Sequence, residues 1–266
     1  MSVTIEKTPP FIQWVGGKRK IVDKLIKYIP SGVNNYYEPF LGGGALFFQV
    51  KYMFNKCYLS DINLDLVTSY NAVKKNPEEI SKLLDLHQAN HCKEYYYQVR
   101  SDNNSNNPNE ITARFIYLNR YSFKGIYRIN INGDPVQSFS GRNYHKSDIT
   151  SRLQQCSSLL SSTSICAIDF SFIEPQKNDF VYFDPPYHKS GETFYTRLPF
   201  DEQEQMRLRD FAKELDNKAV KFMISNSDTP FIRSLYKDFN INTIKVTYSM
   251  PQTRKTSNEV IVTNYV

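Results

Sequence analysis

Three consecutive glycines, Gly42-Gly43-Gly44, follow the short run Tyr36-Tyr37-Glu38-Pro39-Phe40 and precede a helical stretch that begins at Ala45. Glycine placed after a strand and before a helix lets the backbone approach a ligand at the helix N-terminus, where amide dipoles point outward. A second strand, Cys57-Tyr58-Leu59-Ser60, runs into Asp61. Doubly wound α/β sheets put an acid ~20 residues beyond such glycines to bind ribose hydroxyls. The pair predicts a βαβ unit for an adenosine-containing ligand, with NAD, FAD and S-adenosylmethionine all open. The glycines do not follow GxGxxG spacing, which counts against a dinucleotide.

Upstream, Ile21, Leu25, Ile26 and Ile29 recur at helical spacing and stop at Pro30. Downstream the pattern changes. Residues 65–149 read as helices near 77–86, 95–100 and 112–121, joined irregularly through the polar stretch 101–109, with no strand before Ile129. Alternation resumes after 150: strands at 165–168, 180–183 and 220–224, helices at 202–215 and 231–239. The runs 244–248 and 260–265 suggest an antiparallel pair. The fold class expected is α/β, a Rossmann-like doubly wound sheet interrupted by a mostly helical insertion. Residues 1–64 and 150–266 form its main domain and 65–149 a subdomain.

Composition narrows the function classes. Hydrophobic residues make up 40% of the 266 and charged residues 23%, enough to build a core and to exclude wholesale disorder. Mean hydropathy is −0.52, and no run approaches the ~20 apolar residues that span a bilayer. The N-terminal ten residues lack the apolar core of a secretory signal. Four cysteines without a CxxC pair point to a reducing, intracellular setting rather than a disulfide framework. The net charge of +6 fits a polyanionic partner without requiring one. Nineteen Tyr and 18 Phe against one Trp provide rings for stacking on bases, although most such rings fill cores.

The second motif is Asp184-Pro185-Pro186-Tyr187, directly after the buried-strand run Phe180-Val181-Tyr182-Phe183. An acid at the carboxyl end of a central strand faces the crevice where these sheets bind ligands. Proline fixes φ and has no N–H, leaving its carbonyl for a guest. Carboxylate and carbonyl can accept both N–H bonds of an exocyclic amine while its ring packs on the tyrosine. That steers the amine lone pair toward an electrophile.

The third is Trp14-Val15-Gly16-Gly17-Lys18, the single tryptophan beside Gly-Gly-Lys at a helix start, where amides and a lysine favour carboxylates. It lacks the length and the Ser or Thr of a Walker A loop.

These motifs, in this order, resemble the Dam-type (DpnII-like) DNA adenine N6-methyltransferases across almost the whole chain. The likeness continues through Ser60-Asp61-Ile62-Asn63, Tyr117-Leu118-Asn119-Arg120-Tyr121, Gly125-Ile126-Tyr127-Arg128-Ile129-Asn130 and Ile224-Ser225-Asn226-Ser227. The resemblance implies a class I methyltransferase sheet with an inserted target-recognition subdomain. It implies S-adenosylmethionine held by Trp14, Gly17 and Lys18 near its methionine end. Pro39, Phe40, Gly42 and Gly44 would pass close by and Asp61 would take the ribose, while Ile62 and Phe170 flank the adenine with Asp169 beside them. Asp184, Pro185, Pro186 and Tyr187 would hold the target amine and its ring, with no metal and no covalent enzyme intermediate.

By the same resemblance the substrate is double-stranded DNA at GATC, with the target adenine extruded. Arg128 would contact a guanine, Asn130 and Gln13 would lie at the recognition surface, and Phe123 and Ile126 would wedge into the opened duplex. Arg142 would be a second base or phosphate reader. Arg254 and Lys255, in a loop at 249–257, are placed for phosphates by charge alone. Two departures bear on the site: Gln13 stands where many relatives carry lysine, and Val136-Gln137-Ser138-Phe139-Ser140 replaces an Asn-Val-Pro-Phe pattern. The same chemistry at another adenine-containing site, or on RNA, is the alternative. A monomer in the cytoplasm of a bacterial or phage-infected cell is expected, with or without a cognate restriction endonuclease. His87 and His91 have zinc-like spacing but no third ligand nearby, and read as a solvated helix face. His188 is set aside as a proton acceptor.

Overall fold

The computed structural model describes residues 8–125, 127–130, 132–141, 147–189, 199–249 and 254–266. Its centre is a sheet of strands β1 (Tyr36–Glu38), β2 (Cys57–Ser60), β3 (Thr163–Cys166), β4 (Phe180–Phe183), β5 (Lys221–Ser227), β6 (Asn240–Ser249) and β7 (Arg254–Thr263). Their spatial order is β3-β2-β1-β4-β5-β7-β6. The first five are parallel, and β7 enters antiparallel between β5 and β6. The order reverses between β1 and β4, so the glycine turn after β1 and the Asp-Pro-Pro-Tyr segment after β4 leave the same carboxyl edge side by side.

Successive strand residues point to opposite faces, and the sequence fills both. Tyr36, Phe180, Tyr182, Met223 and Ile261 belong to one buried cluster, while Tyr37, Val181, Phe183, Phe222, Ile224, Val260 and Val262 belong to the other. Helices α8 (Glu202–Asn217) and α9 (Pro230–Leu235) cover the second face through Leu208, Phe211, Leu215 and Ile232. Asp201 caps α8 by accepting from the N–H groups of Gln203 and Glu204, and Thr229 caps α9. The first face is covered by α1 (Val22–Ile26), α2 (Phe47–Val50), α3 (Leu64–Lys75) and the chain that follows. No helix of the described residues is long and apolar enough to cross a membrane.

Between β2 and β3 lie α3, α4 (Pro77–Ala89), α5 (Lys93–Ser101), α6 (Pro108–Tyr121) and α7 (Ser147–Leu160). Proline starts α4 and α6, where its missing N–H costs nothing. Leu66 and Tyr70 of α3, Tyr96 of α5, Ile116 of α6 and Leu153 of α7 share one continuous core with strand residues Tyr36 and Phe180. The inserted segment is thus packed onto the sheet.

Most expected elements are present with shifted ends. Two helices that the periodicity did not single out, α3 and α7, are the ones that seat the insertion. Strand β3 begins two residues earlier than expected: Thr163 and Ile165 face inward while Ser164 and Cys166 are exposed. His87 and His91 are not on a solvated face. His87 stacks on the Tyr117 ring (4.8 Å) and pairs with the Tyr95 hydroxyl (2.9 Å), while His91 pairs with the Tyr117 hydroxyl (2.9 Å). Burial lowers the His87 pKa to about 4. The pair is structural instead: His87, in the last turn of α4, and His91, just beyond its end, pack on aromatic rings of α5 and α6.

Candidate active site

A cavity of about 1220 Å³ opens at the carboxyl edge of the sheet. Every residue expected at the methyl donor and every residue of the Asp-Pro-Pro-Tyr segment lines it. The glycine turn forms one wall. Gly42 and Gly44 have φ of +46° and +61°, and a Cβ on Gly42 would press to 2.7 Å from the Trp14 ring. The left-handed conformation and the close indole together require glycine there. Asp61 fastens this wall: Gly42 N–H donates to Oδ2 and Asn63 N–H to Oδ1, each at 3.0 Å. Burial raises the Asp61 pKa, and those N–H groups oppose the rise.

Trp14 is sandwiched between this wall and the inserted segment, stacked on Tyr127 (centroids 5.7 Å apart) and on Phe115 (6.5 Å). Four residues on, Lys18 is 6% exposed. Its Nζ donates to Asp184 Oδ1 at 2.8 Å and to Gly16 O at 2.6 Å, and lies 4.6 Å from the Tyr187 ring centroid. The Gly-Gly-Lys segment therefore reaches the carboxylate after β4 as well as the donor cavity. Ser225 Oγ, on β5, also donates to Asp184 Oδ1 (2.7 Å). Burial raises the Asp184 pKa while Lys18 pulls it down.

The tetrapeptide is pinned from behind. Gln205 Nε2 on α8 donates to the Pro186 carbonyl (2.8 Å), and Asn226 Nδ2 donates to Gln205 Oε1 (2.9 Å). Asn226 Oδ1 accepts from His188 N–H (3.1 Å). The Pro186 carbonyl is thus turned into the protein. The Tyr187 hydroxyl donates to Glu259 Oε2 (2.8 Å). Glu38, at the base of the cavity, accepts from the Tyr36 hydroxyl (2.7 Å); burial, aided by the Asp184 charge, raises its pKa to about 8.

At the far end Phe170 stacks on Phe40 (5.3 Å), and the Arg207 guanidinium lies over Phe170 at 4.0 Å. Asp169 is occupied by protein: Arg207 donates to both carboxylate oxygens (2.7 and 2.8 Å), and Ser171 N–H and Oγ donate to Oδ1. The Arg207 bonds hold its pKa down to about 2. Ile62 is 60% exposed at the rim. Among the described residues no group of three or more His, Cys, Asp or Glu is arranged to hold a metal.

The hairpin that follows α6 stands at the mouth. Ile129 bridges Pro135, and Asn130 makes the turn, its Oδ1 accepting from the N–H groups of Asn132 and Asp134 (both 2.9 Å). The Asn130 side chain is thus engaged in folding the hairpin. Arg128 is exposed, and Phe123 is 58% exposed. Gln13 is exposed, and its backbone is clamped by the fully buried Asn119, which accepts from Gln13 N–H (2.9 Å) and donates to Gln13 O (2.8 Å). Ile126, Arg142, most of the segment 188–199 and residues 250–253 lie outside the described residues. Arg254 and Lys255, expected in a loop, instead open β7, where the backbone pairs them with Ser249 and Tyr248 of β6.

Ser225, Gln205, Asn226, Arg207, Asn119 and Glu259 complete this arrangement without having been assigned roles from the sequence. Ser225 and Asn226 lie in Ile224-Ser225-Asn226-Ser227, and Asn119 in Tyr117-Leu118-Asn119-Arg120-Tyr121. Glu259 left only the faint signal of one acid inside Ser257-Asn258-Glu259-Val260-Ile261.

The model of the D12 class of N6 adenine-specific DNA methyltransferases matches residues 14–250. The chain belongs to that family. It is 37% identical to a type II methyltransferase of Lactococcus lactis subsp. cremoris, M1.LlaDCHI, over 96% of this chain and 95% of that protein. Similar figures, 36% identity over 88% and 90%, hold for M.MjaIII, a type II methyltransferase of Methanocaldococcus jannaschii. The DNA adenine methylase of Escherichia coli K12 is 29% identical over 97% and 95%. The protein is therefore an adenine-specific DNA methyltransferase, and S-adenosylmethionine is its methyl donor. The cavity suits that donor: an acid beside a glycine wall for a ribose, stacked rings for a base, and buried carboxylates that favour a sulfonium.

Proposed function

We propose that this methyltransferase acts on double-stranded DNA at GATC, on an adenine turned out of the helix. The observation that carries the reading is the Asp184 carboxylate, anchored by Lys18 and Ser225 in the same cavity as the glycine wall. A paired adenine amine is inaccessible inside the duplex, and extrusion costs a few kcal/mol. Stacking on Tyr187 returns about 1–3 kcal/mol, and hydrogen bonds from the amine to Asp184 and the Pro185 carbonyl contribute more.

S-adenosylmethionine supplies an electrophilic methyl carbon. The chain's part is to orient the acceptor. Asp184, whose charge Lys18 favours against the opposing effect of burial, accepts a hydrogen bond from the amine and turns the lone pair toward that carbon. Gly42 and Gly44 allow close approach at the methionine end, Asp61 offers its remaining acceptor capacity to the ribose, and Phe170 with Ile62 borders the adenine. Asp169 serves this end through Arg207.

Residues 65–149 form the recognition subdomain in this reading, with 1–64 and 150–266 catalytic. Arg128, exposed on the hairpin, reads a guanine; a bidentate pair is worth roughly 1–3 kcal/mol of discrimination. Gln13, whose side chain lies against Gly125, and the exposed Phe123 join it in this reading, with Ile126 and Arg142. The enzyme acts as a monomer, with or without a restriction endonuclease of the same specificity. A different adenine-containing site is favoured by one observation, glutamine at position 13.

The test is to express the protein in a host without adenine methylation and map N6-methyladenine across its genome. Methylation confined to GATC supports the reading. Another motif would keep the chemistry and move the specificity to Gln13 and the hairpin. Soluble protein that leaves DNA unmethylated would overturn it.

A further inference from the structure

Glu259 lies beyond the 14–250 segment that the family model matches. It sits in β7, paired in register with Ser227 of β5 and Ile244 of β6, and is 2% exposed. Val260, Ile261 and Val262 follow it into the core. Packing alone calls for an apolar residue at such a position, because a buried carboxylate loses its hydration. Its charge also opposes ionisation of Asp184. What the carboxylate gains is the Tyr187 hydroxyl, at 2.8 Å from Oε2.

Tyr187 ends the tetrapeptide, and two side-chain torsions set its ring; the Lys18 ammonium lies over one face, 4.6 Å from the centroid, which leaves the hydroxyl end to be held separately. The backbone on either side is fixed by Gln205 on the Pro186 carbonyl and by Asn226 on the His188 N–H. Neither bond touches the ring. Glu259 holds the ring's far end, from a strand that shares no loop with the tetrapeptide.

We propose that Glu259 is a positioning residue for methyl transfer, setting through the Tyr187 hydroxyl the plane on which the target base stacks. The proposal rests on the assignment of Tyr187 as that stacking face. Glu259 touches neither the donor nor the base; it acts through the phenol.

The test is a double-mutant cycle read by single-turnover methylation of a duplex carrying the enzyme's mapped site. Glu259→Ala is expected to lower the rate by about tenfold, since small misplacements of reacting groups cost rates of that order. S-adenosylmethionine affinity should stay within about twofold in the same variant, as for a site not in contact. Glu259→Gln keeps an acceptor for the phenol and should restore most of the rate. In a Tyr187→Phe background, where ring and stacking face remain but the hydroxyl is gone, Glu259→Ala should add less than about a twofold loss. If alanine destabilises the sheet, Glu259→Leu keeps the buried volume and carries the same cycle. Equal losses in both backgrounds, or full activity of Glu259→Leu, would overturn the proposal. Tyr187→Ala separates the two layers: full activity there removes the stacking assignment itself, whereas an inactive Tyr187→Ala with an additive cycle removes only the role of Glu259.

Discussion

The tetrapeptide after β4 and the hairpin after α6 face each other across one cavity but are built on opposite plans. Around Asp184, polar side chains are buried and tied to partners from distant strands and helices: Lys18, Ser225, Gln205, Asn226 and Glu259. The hairpin closes its own tip, while its stem is held by the core through Tyr127 and by Arg100 on the Gln137 carbonyl. Asn130 closes its own turn, and Arg128 and Phe123 face solvent. A network of buried bonds fixes the chemistry, because changing one member strands the others. An exposed hairpin tip can change its reading residues without disturbing the core. The two regions meet at Trp14, stacked on Tyr127, and at Asn119, which grips the backbone of Gln13.

The comparison breaks if the hairpin matters to chemistry or if the tetrapeptide tolerates change. The largest effect expected is from Asp184→Ala, a loss of methylation on the order of 10³-fold, the scale of an essential proton-handling group. Donor binding by calorimetry should survive; near-normal methylation would refute the anchoring role. Lys18→Met comes next. Without the cation, the raised Asp184 pKa rises further, so the carboxylate protonates at higher pH. The acid limb of the pH–rate profile moves toward neutrality, with roughly a tenfold loss at pH 7 for each unit by which the shifted pKa exceeds that pH.

Arg128→Ala should cost about 1–3 kcal/mol of discrimination at one base pair, read by methylation of single-substituted duplexes. Its rate at saturating DNA should hold. A lost rate with unchanged site preference would mean that the hairpin is part of the catalytic frame.

The smallest effect is on stability. Glu38 binds its proton more tightly folded than unfolded, with a pKa near 8 against an ordinary 4.5. Between those values the folded state holds the extra proton, so stability is full below the unfolded pKa and is lost as pH rises through 8. Glu38→Gln, which stays neutral, should gain several degrees of Tm on the wild type between pH 5 and pH 8.

Much of the architecture could be read from the chain because its signals are local. Two aromatic-apolar strands ending in a glycine turn and an acid define the cavity edge, and Trp14–Lys18, Glu38–Gly44 and Asp184–Tyr187 all meet there. What escaped depends on tertiary context. Helix α7 is Ser-rich, with Ser147, Ser151, Ser157 and Ser158 diluting its apolar stripe, and it folds because Leu153 and Cys156 are fully buried. Asp169 lines the cavity as expected, but its partner could not be read from the chain: Arg207, 38 residues further on, takes both its oxygens. Glu259 illustrates the same limit: a lone acid in a strand means little until the opposite strand brings a phenol to it.

The sheet order has a consequence for synthesis. Strand β7 is the seventh to leave the ribosome, yet it belongs between β5 and β6. Until residue 263 has emerged, β5 presents a bare edge and β6 has no neighbour to join. A chain arrested before residue 254 carries every quoted motif but exposes an unpaired strand edge, the kind of surface on which chains aggregate. Such a stalled product would be recognised as damaged, so premature termination is expected to yield material for proteolysis rather than a DNA-modifying fragment.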